Sequence, residues 1–172
     1  MSRQLNHDEV EFNKEKFPII LIADRISSPA NLGSLLRLAD AFHIEKIMVL
    51  DSLVDLNSNR LKRTARSTEK SVAIDFYENI EKLLEEIDVE HSQFISLEIT
   101  EDSIPIENLK IESFKKLILI IGEERTGVQK ELIEKSAAVT HITMYGNNSS
   151  MNVAQATGIS LYEITKKIVA NR

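Results

Sequence analysis

The sequence of 172 residues contains no cysteine, which excludes disulfide bonds and cysteine-based metal or thiol chemistry. It has no run of about 18 apolar residues, the length that a membrane-spanning helix requires. The N-terminal stretch "MSRQLNHDEVEF" lacks the apolar core of a secretion signal. A reducing cytoplasm is therefore the expected location of the protein.

Several common catalytic signatures are also missing. The stretch "GEERTG" at residues 122–127 lacks the glycine spacing of a dinucleotide fingerprint and the Lys-Ser/Thr pair of a P-loop. No Ser-His-Asp nucleophile pattern is evident, and no histidines are paired at metal-ligand spacing, so no metal site is expected. His43 and His141 are isolated, and each is interpreted as a surface or hydrogen-bonded histidine in preference to a catalytic base.

What the sequence does contain is typical of one globular domain. Apolar residues make up 42% and charged residues 28% of the chain, a balance that favours a folded protein over a disordered one. The length fits one domain of ordinary size. We therefore expect a single domain over residues 1–172, with a short N-terminal extension over residues 1–16 and no appended RNA-binding domain.

Apolar runs bounded by turn residues alternate with helical patterns along the chain. The predicted strands are 17–23, 46–50, 71–76, 93–99, 115–122 and 138–145. The runs that begin at Phe17 and Lys115 are almost continuously aliphatic, as in central parallel strands that are covered on both faces. The alternation predicts an α/β fold with a mainly parallel sheet and helices on both faces.

Three loops are rich in polar residues and together hold four of the five glycines. They are residues 24–33, 122–127 and 146–150, and each leaves a predicted strand and enters a predicted helix. Ligands of parallel sheets bind beyond the carboxyl ends of strands, and helix N-termini offer free N–H groups. The loops predict a polar ligand cleft, whose chemistry the residue pattern alone leaves open.

The first long helical pattern, "NLGSLLRLADAF", begins with two informative residues. Asn31 follows Pro29 at the position of an N-cap. Gly33 lies in the first turn, where glycine costs about 1 kcal/mol relative to alanine. We therefore expect another group to approach the helix closely at Gly33.

The charge distribution is uneven. The formal net charge of −6 disfavours indiscriminate binding to nucleic acid. Residues 60–70, "RLKRTARSTEK", nevertheless hold five basic residues and one acid, a local net charge of +4. Such a segment is either a solvated helix face or a phosphate-binding patch, and composition does not decide between them.

Three motifs in order give the sequence a family resemblance. They are N-x-G-x-x-x-R-x-A-x-x-F at residues 31–42, G-x-E-x-x-G at 122–127, and S-M-N-V with a later L-Y-E at 150–153 and 161–163. With these motifs the chain resembles the SpoU-type RNA 2′-O-ribose methyltransferases of the SPOUT superfamily over about residues 17–168. One motif alone would be a weak signal, but three in order at normal separations are specific.

The resemblance implies a fold, a reaction and an assembly. It implies a deep C-terminal trefoil knot, which is a rare exception among protein topologies. It implies S-adenosylmethionine-dependent methyl transfer to a ribose 2′-hydroxyl of structured RNA, with tRNA favoured over rRNA because a compact dimer resembles the tRNA enzymes. It also implies a homodimer, and the small residues Ala154, Gly158 and Ser160 of the last helix would suit its interface.

The resemblance further implies residue roles. The expected S-adenosylmethionine site comprises Ile121, Gly122, Ile142, Met144, Ser150, Met151 and Val153. Arg37 is expected to bind a neighbouring phosphate and to stabilise the developing alkoxide, because a guanidinium keeps its proton and is therefore a poor base. The residues expected to position Arg37 and the ribose are Asn31, Glu124, Ser150 and Asn152. The residues expected to contact RNA phosphates are Arg60, Arg63 and Arg66.

Two other functions stay open on the sequence alone. The chain could be a knotted module that binds RNA or the cofactor without turnover, or an unknotted α/β enzyme that binds a nucleotide phosphate. Cofactor binding without methyl incorporation would favour the first alternative. Specific binding of a mononucleotide in place of S-adenosylmethionine would favour the second.

Overall fold

The computed structural model describes residues 3–6, 9–10, 14–112 and 115–171, so the expected N-terminal extension lies partly outside the described residues. Within these ranges the strands are β1 (Phe17–Asp24), β2 (Ile44–Leu50), β3 (Ile74–Tyr77), β4 (Ser92–Leu97), β5 (Ile104–Pro105), β6 (Lys116–Ile121) and β7 (Ala138–His141). The α-helices are α1 (Pro29–Ala41), α2 (Asn59–Ala65), α3 (Ile80–Glu85), α4 (Lys130–Lys135) and α5 (Val153–Ala170).

The strands form one sheet in the order β3-β2-β1-β6-β4-β7-β5, and every neighbouring pair is parallel. The two aliphatic strands β1 and β6 lie side by side near its centre, with Leu21 opposite Leu119. Their side chains are buried on both faces. The predicted parallel α/β fold is confirmed.

Helices cover both faces of the sheet. Alternate strand residues such as Leu21 and Leu119 pack into one core together with α1, α2 and α5. Their neighbours Ile22 and Ile120 point the other way, into a second core with α3 and α4. This follows from the two-residue period of a strand, which sends successive side chains to opposite faces.

The helices that follow β1 and β6 lie on opposite faces of the sheet, although the two strands are neighbours and parallel. In an open parallel sheet this arrangement opens a crevice at the carboxyl ends of the two neighbouring strands. The fold thus brings the first and second predicted loops to one edge of the sheet.

Some strands are shorter than predicted. β7 ends at His141, so residues 142–145 leave the sheet, and β4 ends at Leu97 rather than Ile99. β3 begins only at Ile74, after a 3₁₀ turn. β5 was not predicted, because two residues carry no periodicity.

The prediction that Asn31 caps α1 is wrong. Ser28 is the N-cap, its hydroxyl accepts the backbone N–H of Asn31 at 3.4 Å, and Pro29 occupies the first helical position. Proline suits that position because its fixed φ is already helical and its missing N–H would have no partner there. The Asn31 side chain is therefore free for other contacts.

The close approach expected at Gly33 is an intramolecular one. A Cβ on Gly33 would lie 2.1 Å from Thr64 Oγ1 and 2.7 Å from the carbonyl oxygen of Leu61, both in α2. Gly33 is the fifth residue of α1 and so lies in its second turn, where the lack of a side chain allows α2 to pack directly on the helix backbone.

The small residues of α5 do not form an open surface. Ala154 and Ser160 are buried in the protein's own core, and Gly158 packs against the side chain of Leu38. The expectation that all three would face a second copy is therefore wrong for Ala154 and Ser160. The exposed face of α5 instead carries Ile159 and Tyr162.

Across the described part of the chain, none of the helices has the length and apolar character that a membrane span needs.

Candidate active site

A cavity of about 460 Å³ lies at the carboxyl ends of β4, β6 and β7. Cavities of this size accommodate small ligands and cofactors. All seven residues expected to bind the cofactor line it: Ile121, Gly122, Ile142, Met144, Ser150, Met151 and Val153. The early end of β7 is what allows Ile142 and Met144 to turn out of the sheet and into this wall.

One wall of the cavity is the tight loop that follows β6. The N–H of Gly127 donates to the carbonyl of Glu123 at 2.8 Å, and Gly127 has a φ of 66°, a left-handed conformation that favours glycine. At the other end, a Cβ on Gly122 would lie 2.2 Å from the carbonyl carbon of Gly127. The two motif glycines therefore let the loop close on itself.

The Glu123 carboxylate holds the tip of this loop. It accepts the backbone N–H groups of Arg125 at 2.9 Å and Thr126 at 3.0 Å. These two hydrogen bonds hold the pKa of Glu123 below its ordinary value. Because the shift is downward, the support is present at neutral pH and is lost as the pH falls through that lowered pKa.

A buried carboxylate anchors the far end of the same loop. Asp24, at the end of β1, has no exposed surface and accepts the backbone N–H and the side-chain amide of Gln129, each at 2.7 Å. Arg25 pairs with Asp24 at 3.2 Å and donates to the carbonyl of Gly127 at 2.9 Å. The end of β1 therefore fixes the loop that follows β6 through the side chains of Asp24 and Arg25.

We expect Asp24→Ala to destabilise the protein by about 1–3 kcal/mol, because it leaves the half-buried guanidinium of Arg25 and two half-buried N–H donors of Gln129 without their partner. The loop would also lose its anchor, so cofactor binding should weaken. Denaturant unfolding and cofactor titration measure the two effects. The control Asp102→Ala, at an exposed carboxylate, should stay within about 0.5 kcal/mol of the parent. Equal unfolding free energies for the two variants would contradict this role of Asp24.

Glu98 supports the loop from the opposite side and was not predicted. It directly follows β4; its Oε2 accepts the N–H of Val128 at 3.0 Å and its Oε1 accepts the N–H of Ile99 at 2.9 Å. Its side chain also lines the cavity. The sequence placed Glu98 inside a strand, but an acidic residue directly after an apolar strand was a usable signal for this edge of the sheet.

Residues from all three motifs meet beside the cavity. The side-chain amide of Asn31 donates to the carboxylate of Glu124, and the Asn31 oxygen accepts the amide of Asn152 at 3.0 Å. The Asn152 oxygen in turn caps α5 by accepting the N–H of Ala154 at 3.0 Å. Since Glu124 lines the cavity, this chain of hydrogen bonds joins the helix starts of α1 and α5 to the cavity wall.

Within the described ranges, the other two expected catalytic residues form no hydrogen bond with this chain of residues. Ser150 is exposed and lines the cavity. Arg37 is exposed on α1 and is not among the described residues that line the cavity. It lies one helical turn beyond Gly33, and therefore on the same side of α1 as the contact with α2.

The basic segment forms α2 and the turn after it. Arg60, Arg63 and Arg66 are all exposed, and within the described ranges none of their guanidinium groups forms an ion pair. Because α2 packs on α1, this basic surface adjoins the side of α1 that carries Arg37.

The histidines fit their expected roles. His43 is exposed, and the Nδ1 of His141 lies 2.9 Å from the hydroxyl oxygen of Ser103. His141 also lines the cavity, which its sequence position did not indicate. The residues that the structure describes contain no cluster of acidic, histidine or cysteine side chains suited to a metal ion.

Comparison with known families agrees with the motifs. The model of the SpoU rRNA Methylase family matches residues 18–162 of the chain. This range includes the three loops, the cavity and most of α5.

Individual relatives are distant but extensive. The 23S rRNA (guanosine(2553)-2′-O)-methyltransferase RlmP of Bacillus subtilis is 27% identical over 84% of this chain and 57% of its own length. The 23S rRNA (guanosine-2′-O-)-methyltransferase RlmB of Haemophilus influenzae is 27% identical over 96% of this chain and 68% of its own length. The AdoMet-bound rRNA methyltransferase of Sinorhizobium meliloti superposes with a TM-score of 0.79 and 25% identity, covering 90% of this chain and 58% of that one. The chain thus spans between just over half and two thirds of these proteins.

Proposed function

Because this chain belongs to the SpoU rRNA Methylase family, we propose that it transfers the methyl group of S-adenosylmethionine to a ribose 2′-hydroxyl of RNA. The single observation that carries the proposal is the meeting of two predicted groups at one place. The cavity is lined by all seven expected cofactor residues, and the Asn31–Glu124–Asn152 chain lies against its wall. A solved relative with AdoMet bound supports the choice of cofactor.

We propose rRNA as the substrate class to test first. The expected preference for tRNA has no support in the curated relatives, since RlmP and RlmB are both named as 23S rRNA methyltransferases. An RNA-modifying reaction is consistent with the cytoplasmic location that the sequence predicts.

The proposed chemistry is an in-line methyl transfer, in which Arg37 stabilises charge and four polar residues position the ribose. The 2′-oxygen attacks the sulfonium methyl in line from about 3 Å, the carbon–sulfur bond breaks, S-adenosylhomocysteine leaves and the hydroxyl proton passes to solvent. Arg37 binds a neighbouring phosphate and stabilises the oxygen as negative charge develops. Asn31, Glu124, Asn152 and Ser150 position the ribose against the cofactor.

The trefoil knot and the homodimer are part of the proposal. The order of strands, with β7 between β4 and β5, and the return of the chain through residues 142–152 to α5 are compatible with a C-terminal knot. On α5, Ile159, Tyr162 and Val169 are 43%, 62% and 54% exposed and share one helix face. Such an apolar stripe supports contact with a second copy.

Transfer of labelled methyl from S-adenosylmethionine to unmodified 23S rRNA and, separately, to unmodified tRNA tests the function. We expect label in rRNA that stays on the ribose after the bases are removed. Label in tRNA alone would keep the reaction and reverse the substrate class. No label in either RNA, with cofactor binding intact, would favour a binding module without turnover.

The basic segment makes a separate prediction. Reversing two charges with Arg63→Glu and Arg66→Glu should weaken RNA binding at least tenfold at low salt and reduce the slope of log affinity against log salt by about 2. Filter binding across a salt series measures both quantities. The control Lys130→Glu with Lys135→Glu changes the net charge equally, but on α4, on the opposite face of the sheet. Equal losses for both pairs would mean that net charge, not this surface, governs binding.

A further inference from the structure

The charge of the cavity is unbalanced. Among its described lining residues Glu98, Glu123 and Glu124 are acidic, against one basic residue, Arg125. A ligand that carries positive charge would therefore be favoured in this cavity over a neutral ligand of the same shape.

The three carboxylates are not equivalent. Glu123 turns back to the N–H groups of its own loop, and Glu124 is bound by Asn31. Glu98 is half-buried, and each of its oxygens accepts one backbone N–H, so its orientation is fixed before any ligand binds. A carboxylate oxygen can accept more than one hydrogen bond, so both oxygens retain acceptor capacity.

The loop is shaped to admit this carboxylate. A Cβ on Gly127 would lie 2.3 Å from Glu98 Oε2, so only a residue without a side chain lets Glu98 approach the turn. Glu98 thus combines a fixed negative charge with a position on the cavity wall.

The proposed cofactor changes its charge during the reaction. S-adenosylmethionine carries a sulfonium cation in addition to its ammonium and carboxylate groups, whereas the product S-adenosylhomocysteine carries a neutral sulfur. A fixed carboxylate in a partly enclosed cavity therefore attracts the reactant more strongly than the product.

We propose that Glu98 is a cofactor-specificity residue, which makes the cavity bind S-adenosylmethionine in preference to S-adenosylhomocysteine and so favours product release. This inference rests on the proposed function, because it takes S-adenosylmethionine as the ligand of the cavity. The discrimination due to Glu98 is about five- to tenfold in affinity, the size expected for one charge pair at partial solvent screening.

Calorimetric titration of both ligands into the parent protein, Glu98→Gln and the control Glu101→Gln tests the inference. Glutamine keeps the shape and can still accept the N–H of Val128, and Glu101 is an exposed acid in the turn that follows. The quantity to compare is the dissociation constant of S-adenosylhomocysteine divided by that of S-adenosylmethionine. In Glu98→Gln this ratio should fall about five- to tenfold below that of the parent, and the parent's ratio should itself fall with added salt. The control should keep the parent's ratio.

The outcomes separate the inference from the function beneath it. An equal loss of affinity for both ligands in Glu98→Gln, or an unchanged ratio, would leave Glu98 as a loop support only and overturn the inference while the function stands. Failure of the folded parent protein to bind either ligand would overturn the function and the inference together. Thermal unfolding of each variant confirms that folded protein is being titrated.

Discussion

Gly122→Ala is expected to weaken cofactor binding strongly. The added Cβ would lie 2.2 Å from the carbonyl carbon and 2.5 Å from the carbonyl oxygen of Gly127, and 2.3 Å from the nitrogen of Val128. All three atoms belong to backbone, so no side-chain rotation relieves the clash, and either the end of β6 or the loop must move. That shift displaces the wall that Ile121 and Gly122 form, so the affinity for S-adenosylhomocysteine should fall at least about tenfold with a destabilisation of about 1–3 kcal/mol.

Gly146→Ala is the matched control. A Cβ on Gly146 would have no atom within 4 Å, although Gly146 lies in the polar loop that leads to the same cavity. We expect its stability to stay within about 0.5 kcal/mol of the parent and its cofactor affinity to be unchanged. Isothermal titration and thermal unfolding compare the two variants. Full cofactor affinity in Gly122→Ala would show that the cavity tolerates a shifted loop.

Arg37→Ala is expected to reduce methyl transfer by about 100-fold or more without affecting the fold. Removing one group that stabilises developing negative charge commonly has an effect of this size. The side chain is exposed and does not line the cavity, so thermal stability and cofactor affinity should stay close to those of the parent. Single-turnover transfer of labelled methyl at saturating RNA separates this loss from weaker RNA binding.

Arg60→Ala provides the comparison, because it removes the same charged group from the neighbouring helix. If Arg60 contacts only a phosphate, its loss should raise KM for RNA and leave the saturated rate within about twofold. Retention of the full saturated rate in Arg37→Ala would remove Arg37 from the proposed chemistry. A purely electrostatic role in RNA binding would make the two variants behave alike.

The strongest sequence signals were those tied to backbone geometry. The aliphatic runs of β1 and β6 identified the centre of the sheet, because only strands covered on both faces lack polar positions. The motif glycines identified the cavity wall, and the structure gives the reason: one allows a close approach and the other a left-handed φ. Gly33 predicted a close contact but not its partner, since spacing along α1 cannot name α2.

Side-chain partners across the fold were beyond the sequence. Asn31 has the composition of an N-cap, yet Ser28 takes that role, and the Asn31 amide contacts Glu124 and Asn152, which are 93 and 121 residues away. The loop that follows β6 is fixed by contacts between residues far apart in the sequence, which no local pattern encodes. The residues that form them are Asp24, Arg25, Glu98 and Gln129. Small residues on a helix suit an interface and a tightly packed core alike, so the sequence could not show that Ala154 and Ser160 are buried in the protein's own core.

The contacts that build the cavity also order events during folding. Asp24 meets Gln129 across 105 residues, Arg25 meets Gly127 across 102, and Asn31 meets Asn152 across 121. Contacts of such sequence separation form late, because the entropy of closing a long loop must be overcome first. β1 and α1 are synthesised before Gly127, Gln129 and Asn152, so these contacts can form only after the ribosome has produced the start of α5. A nascent chain therefore acquires this cavity only after the start of α5 has been synthesised, so ligand binding reports that these distant segments have come together.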